Sequence, residues 1–484
     1  MTKWIMRIAY VYVALPFIIF AIGFMRWYIG IPAAGVAIFG LVRMWMSAEE
    51  CILPKKTKKN VTKLVLAVLF IGVWVYLSGI GKFVWQNQDH EYRNTIFEML
   101  VSHKWPVING NGRGMSYYIG FWLPAAVFGK VFGISAGFVF QALWAVLGIF
   151  LTYYFICDRM HKFTLWPLLI VILFSGLDMA GVQILARIQG YQGAVVDAAG
   201  QIEWWAGIYQ YSSMTTQLFW VFNQAVPAWL VLMLLLKQKT NKYVLVLMGE
   251  LLLCSALPFM GMVPILLYVV FFRKYEGNKK AIQWRNDTLT LENLLVGGVT
   301  GILTFLYYFG NDASKQSQNV ESMGGVVASE LLVGIGLLSV LFILLEMLVY
   351  AGLVFRFQKK NILFYVCVLW LCICPFIRIG YSYDFCMRAS IPCLFVLMLY
   401  VIDALKESKK KKKYITLALL IICLGIGAIT PIHEFTRTVQ ATMEEASGVR
   451  EKETRSVEEE IVFHAPNFSM DTKQSIFFNY IGKK

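Results

Sequence analysis

The stretch "WQNQDHEYRNTIFEML", residues 85–100, contains Asp89, His90, Glu91, Arg93 and Glu98. A carboxylate that reaches a hydroxyl can take its proton as general base, and Asp89 is the candidate, with Glu91 and Arg93 beside it as substrate contacts. Asp89 also falls at the start of an expected helix, where an acid caps and complements the dipole, so a purely structural role is equally open. Farther along, "FIRIGYSYDFCMRASIP" supplies Arg378, Asp384 and Arg388. Guanidinium groups stabilise a leaving group that gains negative charge, and Arg187 is a weaker third choice for that task. Asp178 in "SGLDMAG" is an ion-pair partner for these cations, as is Asp384. The segment "QIEWWAGIYQYSSMTTQLFWVFNQAVPAWL" sets Trp204 beside Glu203 and Asn223. Aromatic faces stack on the C–H faces of sugar rings while carboxylates and amides bind hydroxyls, although an aromatic belt at a membrane surface has the same composition. Asp89, His90 and Glu91 also raise the question of a divalent cation, but adjacent helical residues point in different directions and their spacing matches no metal signature.

What holds these residues is a membrane protein. The chain has 484 residues, 58% hydrophobic and 15% charged, with a net charge of +15 and a mean hydropathy of +0.62, a balance foreign to water-soluble domains. Long apolar runs such as "LVLAVLFIGVWVYLSGI" lack the alternation of a lipid-facing strand, so helices are expected rather than a barrel. Lys and Arg collect in short loops, "PKKTKK", "KQKTNK", "RKYEGNKK", "FQKK" and "KESKKKKK", which mark the cytoplasmic side. No loop joins a basic run to base-stacking aromatics, which argues against nucleic acid. Of nine Cys, most fall in spans as packing residues, and Cys386 is expected to face outward.

With roughly 20 residues per span and the basic loops inside, about thirteen crossings are expected. They fall near residues 5–25, 27–46, 64–80, 136–156, 163–181 and 218–236, then 243–272, and later 293–310, 330–356, 361–380, 389–405 and 414–431. Residues 116–134 are expected to lie at the outer interface, and residues 243–272, with Pro258, Gly261 and Pro264 at their middle, to form two short helices that turn back. The spacing of Tyr92, Ile96, Met99 and Leu100 predicts a short amphipathic helix on the membrane surface. Three regions result: an N-terminal hairpin and basic loop (1–63), a core (64–431) with an external loop at 81–135, and a polar external tail (432–484). The N-terminus is then cytoplasmic and the tail extracytoplasmic.

An acid after an early outward helix, an amphipathic helix "EYRNTIFEML", then "KWP" and the Tyr-rich "SYYIGFWLPAAVFGKVFGIS" resemble the first external loop of GT-C superfamily glycosyltransferases. The likeness covers about seventy residues and the general layout of many helices with basic inner loops. It differs in placing three helices before the loop instead of one, and in having His90 where many members carry a second acid. The resemblance implies an all-α, GT-C-like polytopic bundle in a bacterial plasma membrane. It implies transfer of a sugar from a polyprenyl-phosphate donor to a glycan, lipid or protein acceptor on the outer face, with Asp89 as catalytic residue and Tyr117 and Tyr118 among the substrate contacts. A carrier or flippase of lipid-linked saccharides is the alternative, for which ionisable groups should line a path through the midplane.

Overall fold

The computed structural model describes residues 1–54, 57–190, 200–273, 286–311, 336–377, 384–451 and 455–484. The chain is nearly all-α, and eight of the described helices are long and apolar enough to cross a membrane. The first three are α1 (Trp4–Phe24), α2 (Trp27–Met46) and α3 (Lys58–Leu77). After α4 (Gln88–Ser102) and the short strand β1 (Arg113–Met115), a turn leads into α5 (Leu123–Phe132) and α6 (Ile134–Arg159). Ten residues give α5 about 15 Å of length, half a bilayer, which suits the interfacial place expected for residues 116–134.

The run expected at 163–181 is broken. α7 (Trp166–Leu173) stops, the chain unwinds over Phe174–Leu177, and α8 (Asp178–Ile188) begins. The break has a local cause: a Cβ at Gly176 would collide with Glu346, so only glycine lets this turn approach that helix. α9 (Met214–Lys237) is the axis of the bundle, with 94% of its apolar window buried against 22% for α3, which faces outward. It is kinked at Val221, whose backbone leaves the helical region, and carries Pro227 six residues later.

Residues 243–272 form two short helices, α10 (Val244–Cys254) and α11 (Ala256–Phe271), joined at Ser255. Both outer ends of this pair lie together: Asn241 Nδ2 donates to the Val270 carbonyl, and Arg273 donates to the carbonyls of Leu235 and Gln238. Backbone groups freed at the turn are covered by protein, as an apolar setting requires. Tyr308 Oη donates to the carbonyls of Leu252 and Leu253, at 3.1 and 2.9 Å, and Ser255 Oγ donates to the Gln224 carbonyl at 2.8 Å. The later helices include Gly298–Tyr308, Leu337–Gln358, Ile362–Ile373, Asp384–Ala389 and Ile391–Lys410. Asp403, on the last of these, pairs with Arg159 at 2.5 Å.

The segment from residue 432, expected as a polar tail, is folded onto the core. The helix Tyr414–Gly427 continues almost directly into Ile429–Ala446, whose Glu434, Arg437, Thr438 and Ala441 are buried. Beyond it, β2 (Ser469–Asp471) pairs antiparallel with β1, Arg113 opposite Asp471 and Met115 opposite Ser469. The chain end reaches α1 and α2, where Arg26 N donates to the Ile481 carbonyl at 2.8 Å. The apolar residues of "SIFFNYIGKK" drive this docking: Phe477 is fully buried and stacks on Phe20 of α1.

Candidate functional site

α4 is capped by Asn87, whose side chain accepts from the Asp89 backbone N–H at 3.2 Å. The cap is therefore not Asp89, which stands in the first turn and accepts from Arg93, one turn on, at 2.8 Å. Nor is the polar side of α4 open. Arg93, Asn94, Thr95, Ile96 and Leu100 are all buried, because the C-terminal segment covers the polar side of the helix. Asn94 donates to the Arg455 carbonyl and Thr95 to the Val457 carbonyl, at 2.5 and 2.8 Å. Lys82, Glu98 and Ser456 close the same seam.

His90 points the other way, into the core, against the Phe222 ring and 2.9 Å from the Phe219 carbonyl. Burial, helped by the Arg93 charge, pushes its pKa down to about 3, so the ring is neutral at neutral pH. A carbonyl only accepts, which makes Nε2 the donor and leaves Nδ1 to accept from Gln86 Nε2 at 3.2 Å. Both ring nitrogens are thus occupied by structure, and the ring shares no ligand with Asp89.

A second ion pair faces the first. In the helix Asp384–Ala389, Arg388 Nη1 lies 3.3 Å from Asp384 Oδ2. The helix is held from behind by α11: Gly261 packs so closely on the Ala389 backbone that a Cβ would overlap it, and Trp370 Nε1 donates to the Ala389 carbonyl at 3.0 Å. Tyr117 and Tyr118, whose rings are tilted by 33° with centroids 4.4 Å apart, lie near both pairs. The charges of Arg93, Arg388, Asp89 and Asp384 all act on the Tyr117 hydroxyl, whose pKa burial raises, so both pairs lie within electrostatic range of one phenol. Burial likewise raises the Asp384 carboxyl, opposed by Arg388, with Asp89 and Arg93 acting more weakly. Arg93 Nε and Nη1 and Arg388 Nε are buried and have no hydrogen-bond partner among the described residues. Unused guanidinium N–H groups beside an exposed-edge carboxylate are a setting for a phosphate-like anion.

No family model, curated protein or solved structure matches this chain. The geometry is therefore the only guide to which residues act together. Asp89, Arg93, Tyr117, Tyr118, Asp384 and Arg388 form one group, while Arg378 lies outside the described residues. Glu91 is on the same helix and half-buried.

Asp178 and Glu203 belong to a different group. Asp178 Oδ2 accepts from Ser175 Oγ at 2.6 Å and from Thr430 Oγ1 at 2.9 Å. Glu203 accepts from the Ser213 N–H and from Gln210 Nε2, at 2.8 and 2.9 Å. Glu346, in a π-helical turn at Leu344–Leu348, accepts from Trp205 Nε1 at 2.9 Å and shares a contact with Asp178. Burial, with the Asp178 charge adding to it, pushes Glu203 up to about 8. Trp204 is 53% exposed and Arg187 is exposed in the last turn of α8, so neither joins either group. Asn223 is buried on α9, with both side-chain polar atoms unpartnered among the described residues. Among the described residues, no three His, Cys, Asp or Glu side chains are placed to hold a metal ion.

Sequence reasoning left the C-terminal segment open between a solvated tail and one docked on the body with a substrate-related role, and named none of the contacts it makes. Phe468 stacks against Tyr92 of α4 and meets Tyr117 edge-on, at 5.6 and 4.7 Å between centroids, and its carbonyl accepts from the Ser116 N–H at 2.9 Å. Arg113 donates to the Phe463 carbonyl, at 2.7 Å, and to Ser469 Oγ, at 2.6 Å. It also missed Glu346, a lone acid inside the apolar run "LLEMLVY", which is a recognisable signal. Cys386, on the Asp384–Ala389 helix, is buried, contrary to expectation, and all nine Cys are free.

Proposed function

We propose that this chain is an integral-membrane glycosyltransferase of the GT-C kind, which transfers a sugar from a polyprenyl-phosphate donor to a glycan, lipid or protein acceptor. The observation that carries the proposal is the meeting of the Asp89–Arg93 and Asp384–Arg388 pairs around Tyr117 and Tyr118. In this mechanism Asp89 takes the proton of the acceptor hydroxyl as its oxygen bonds to the anomeric carbon. The bond from that carbon to the phosphate oxygen breaks, and the phosphate leaves with the charge that Arg388 and Arg93 receive. Arg93 orients Asp89, and the two phenols wall the sugar. On the charge pattern of the loops, the site belongs to the extracytoplasmic face of a bacterial plasma membrane, with about thirteen crossings and a cytoplasmic N-terminus.

The test is release of carrier phosphate from a polyprenyl-phosphate sugar by purified protein in detergent. Asp89→Asn should lower turnover by about 10²–10⁴-fold, the usual worth of a general base, at unchanged thermal stability. Turnover that survives this substitution would remove Asp89 from the chemistry.

A carrier of lipid-linked saccharides is a second reading, favoured by one observation: Glu250 and Glu346 are buried inside apolar helices rather than at one face. Flux of intact donor across proteoliposomes, without release of carrier phosphate, would select it.

A further inference from the structure

An unusual set of polar atoms lies in the interior of the bundle, outside both groups described above. A small, largely enclosed cavity between α1, α6, α9 and α10 is lined by Tyr12, Phe121, Trp144, Pro227, Glu250 and Cys254, among others. It has room for a water molecule and none for a sugar or a headgroup. Tyr12 Oη, Trp144 Nε1 and both carboxyl oxygens of Glu250 are buried and without hydrogen-bond partners among the described residues. Tyr12 and Trp144 stack at 4.0 Å, and Gly148, one turn beyond Trp144, leaves space that the Tyr12 hydroxyl fills.

The unpartnered set extends along the same helix faces. Gln141 precedes Trp144 by three residues and Gln224 precedes Pro227 by three, which puts each on the cavity side of its helix. Gln141 Oε1 and both polar atoms of Asn223 and of Gln224 are likewise buried and unpartnered. Asn223 and Gln224 follow directly on the Val221 kink of α9 and on Phe222, whose ring lies against Arg93 and His90.

Buried polar groups of this kind are costly unless something bonds to them. The set mixes groups that only donate, such as the Trp144 indole, with groups that only accept, such as a carboxylate or the Gln141 oxygen. A metal ion would serve the acceptors and repel the donors. Water serves both. We propose that Tyr12, Trp144 and Glu250 form an intramembrane water-binding site, continued by Gln141, Asn223 and Gln224, in which the water accepts from the indole N–H and joins the Glu250 carboxyl to the Tyr12 hydroxyl. Glu250 has no hydrogen-bond partner among the described residues, so the water is what satisfies its carboxyl.

X-ray radiolysis in ¹⁸O water, read by mass spectrometry on the full-length protein in detergent, tests this, since radicals made from a bound water oxidise the side chains touching it. Trp74 and Trp229 are the internal controls: both are buried, but their indoles already donate to Thr215 and Gln217, each at 3.0 Å. Trp144 and Tyr12 should be labelled several-fold faster than these two tryptophans. Gly148→Ala, which displaces the Tyr12 hydroxyl, and Glu250→Leu, which removes the acceptor, should bring Trp144 down to the control rate. Equal labelling of Trp144, Trp74 and Trp229 in the unaltered protein overturns the proposal, whether or not the variants fold.

Discussion

The group around Tyr117, called outer, and the acid group around Asp178, called inner, are both built from carboxyl side chains, yet they are neutralised in opposite ways. In the outer group each acid has a guanidinium one turn away, Asp89 with Arg93 and Asp384 with Arg388. In the inner group Asp178, Glu203 and Glu346 are held by hydroxyls, amides, an indole and one another. Charge balance with spare N–H groups leaves the outer group ready for a further anion, whereas an acid set with no cation paired to it among the described residues holds protons and repels anions. Location in a fold full of carboxyls therefore says less about chemistry than what stands one turn away.

After Asp89, the contrast can be broken most strongly at Arg388. Arg388→Ala should cut donor turnover by about 10–100-fold, since a charge-assisted bond to phosphate is worth roughly 1.5–3 kcal/mol, and Arg388→Lys should recover part of it. If donor turnover ignores both changes, the outer group is structural. Next is the support behind it. Gly261→Ala forces the Ala389 backbone away, an overpacking worth about 1–3 kcal/mol, and should weaken donor use before it lowers the melting temperature.

The inner group is reached through pH. Glu203 is raised from its ordinary value near 4.5 to about 8, so between these values the folded chain binds more protons than the unfolded one. Stability is then full below about 4.5 and is lost as pH rises towards 8, by at most about 1.4 kcal/mol per pH unit from this residue. Glu203→Gln should flatten that decline in a thermal-shift series, and an unchanged slope would refute the assignment. The smallest effect is expected at Phe468. Phe468→Leu keeps bulk but loses two ring contacts worth about 0.5–1.5 kcal/mol, and should loosen Tyr117 enough to raise the donor KM with little change in stability. A change in kcat alone would argue against Phe468 acting through the phenols.

Much of this was legible in the residues themselves. α1, α2 and α9 follow from apolar runs of the right length, and the α10–α11 pair from two basic loops that a single crossing would have put on opposite sides. The helical spacing around Asp89 announced α4, but not its burial, because the groups that cover Asn94 and Thr95 lie some 360 residues away and contribute only backbone carbonyls, which leave no side-chain signature. The break before Asp178 was hidden for a similar reason. "FSGLD" reads as the end of one apolar helix until Glu346 is placed against Gly176. The two arginine pairs were visible as types, while their meeting depends on α11 bringing Ala389 against Gly261, a contact between segments that share no pattern.

The seam between α4 and the C-terminal segment also sets a clock on biogenesis. Asn94 leaves the ribosome long before Arg455 exists, and with 361 residues between them at about 5–20 residues per second the interval is roughly 20–70 s. Through that time the polar side of α4 waits uncovered, the Asp384–Arg388 segment follows only late in the interval, and the wall that seats both ion pairs is complete when the last strand arrives.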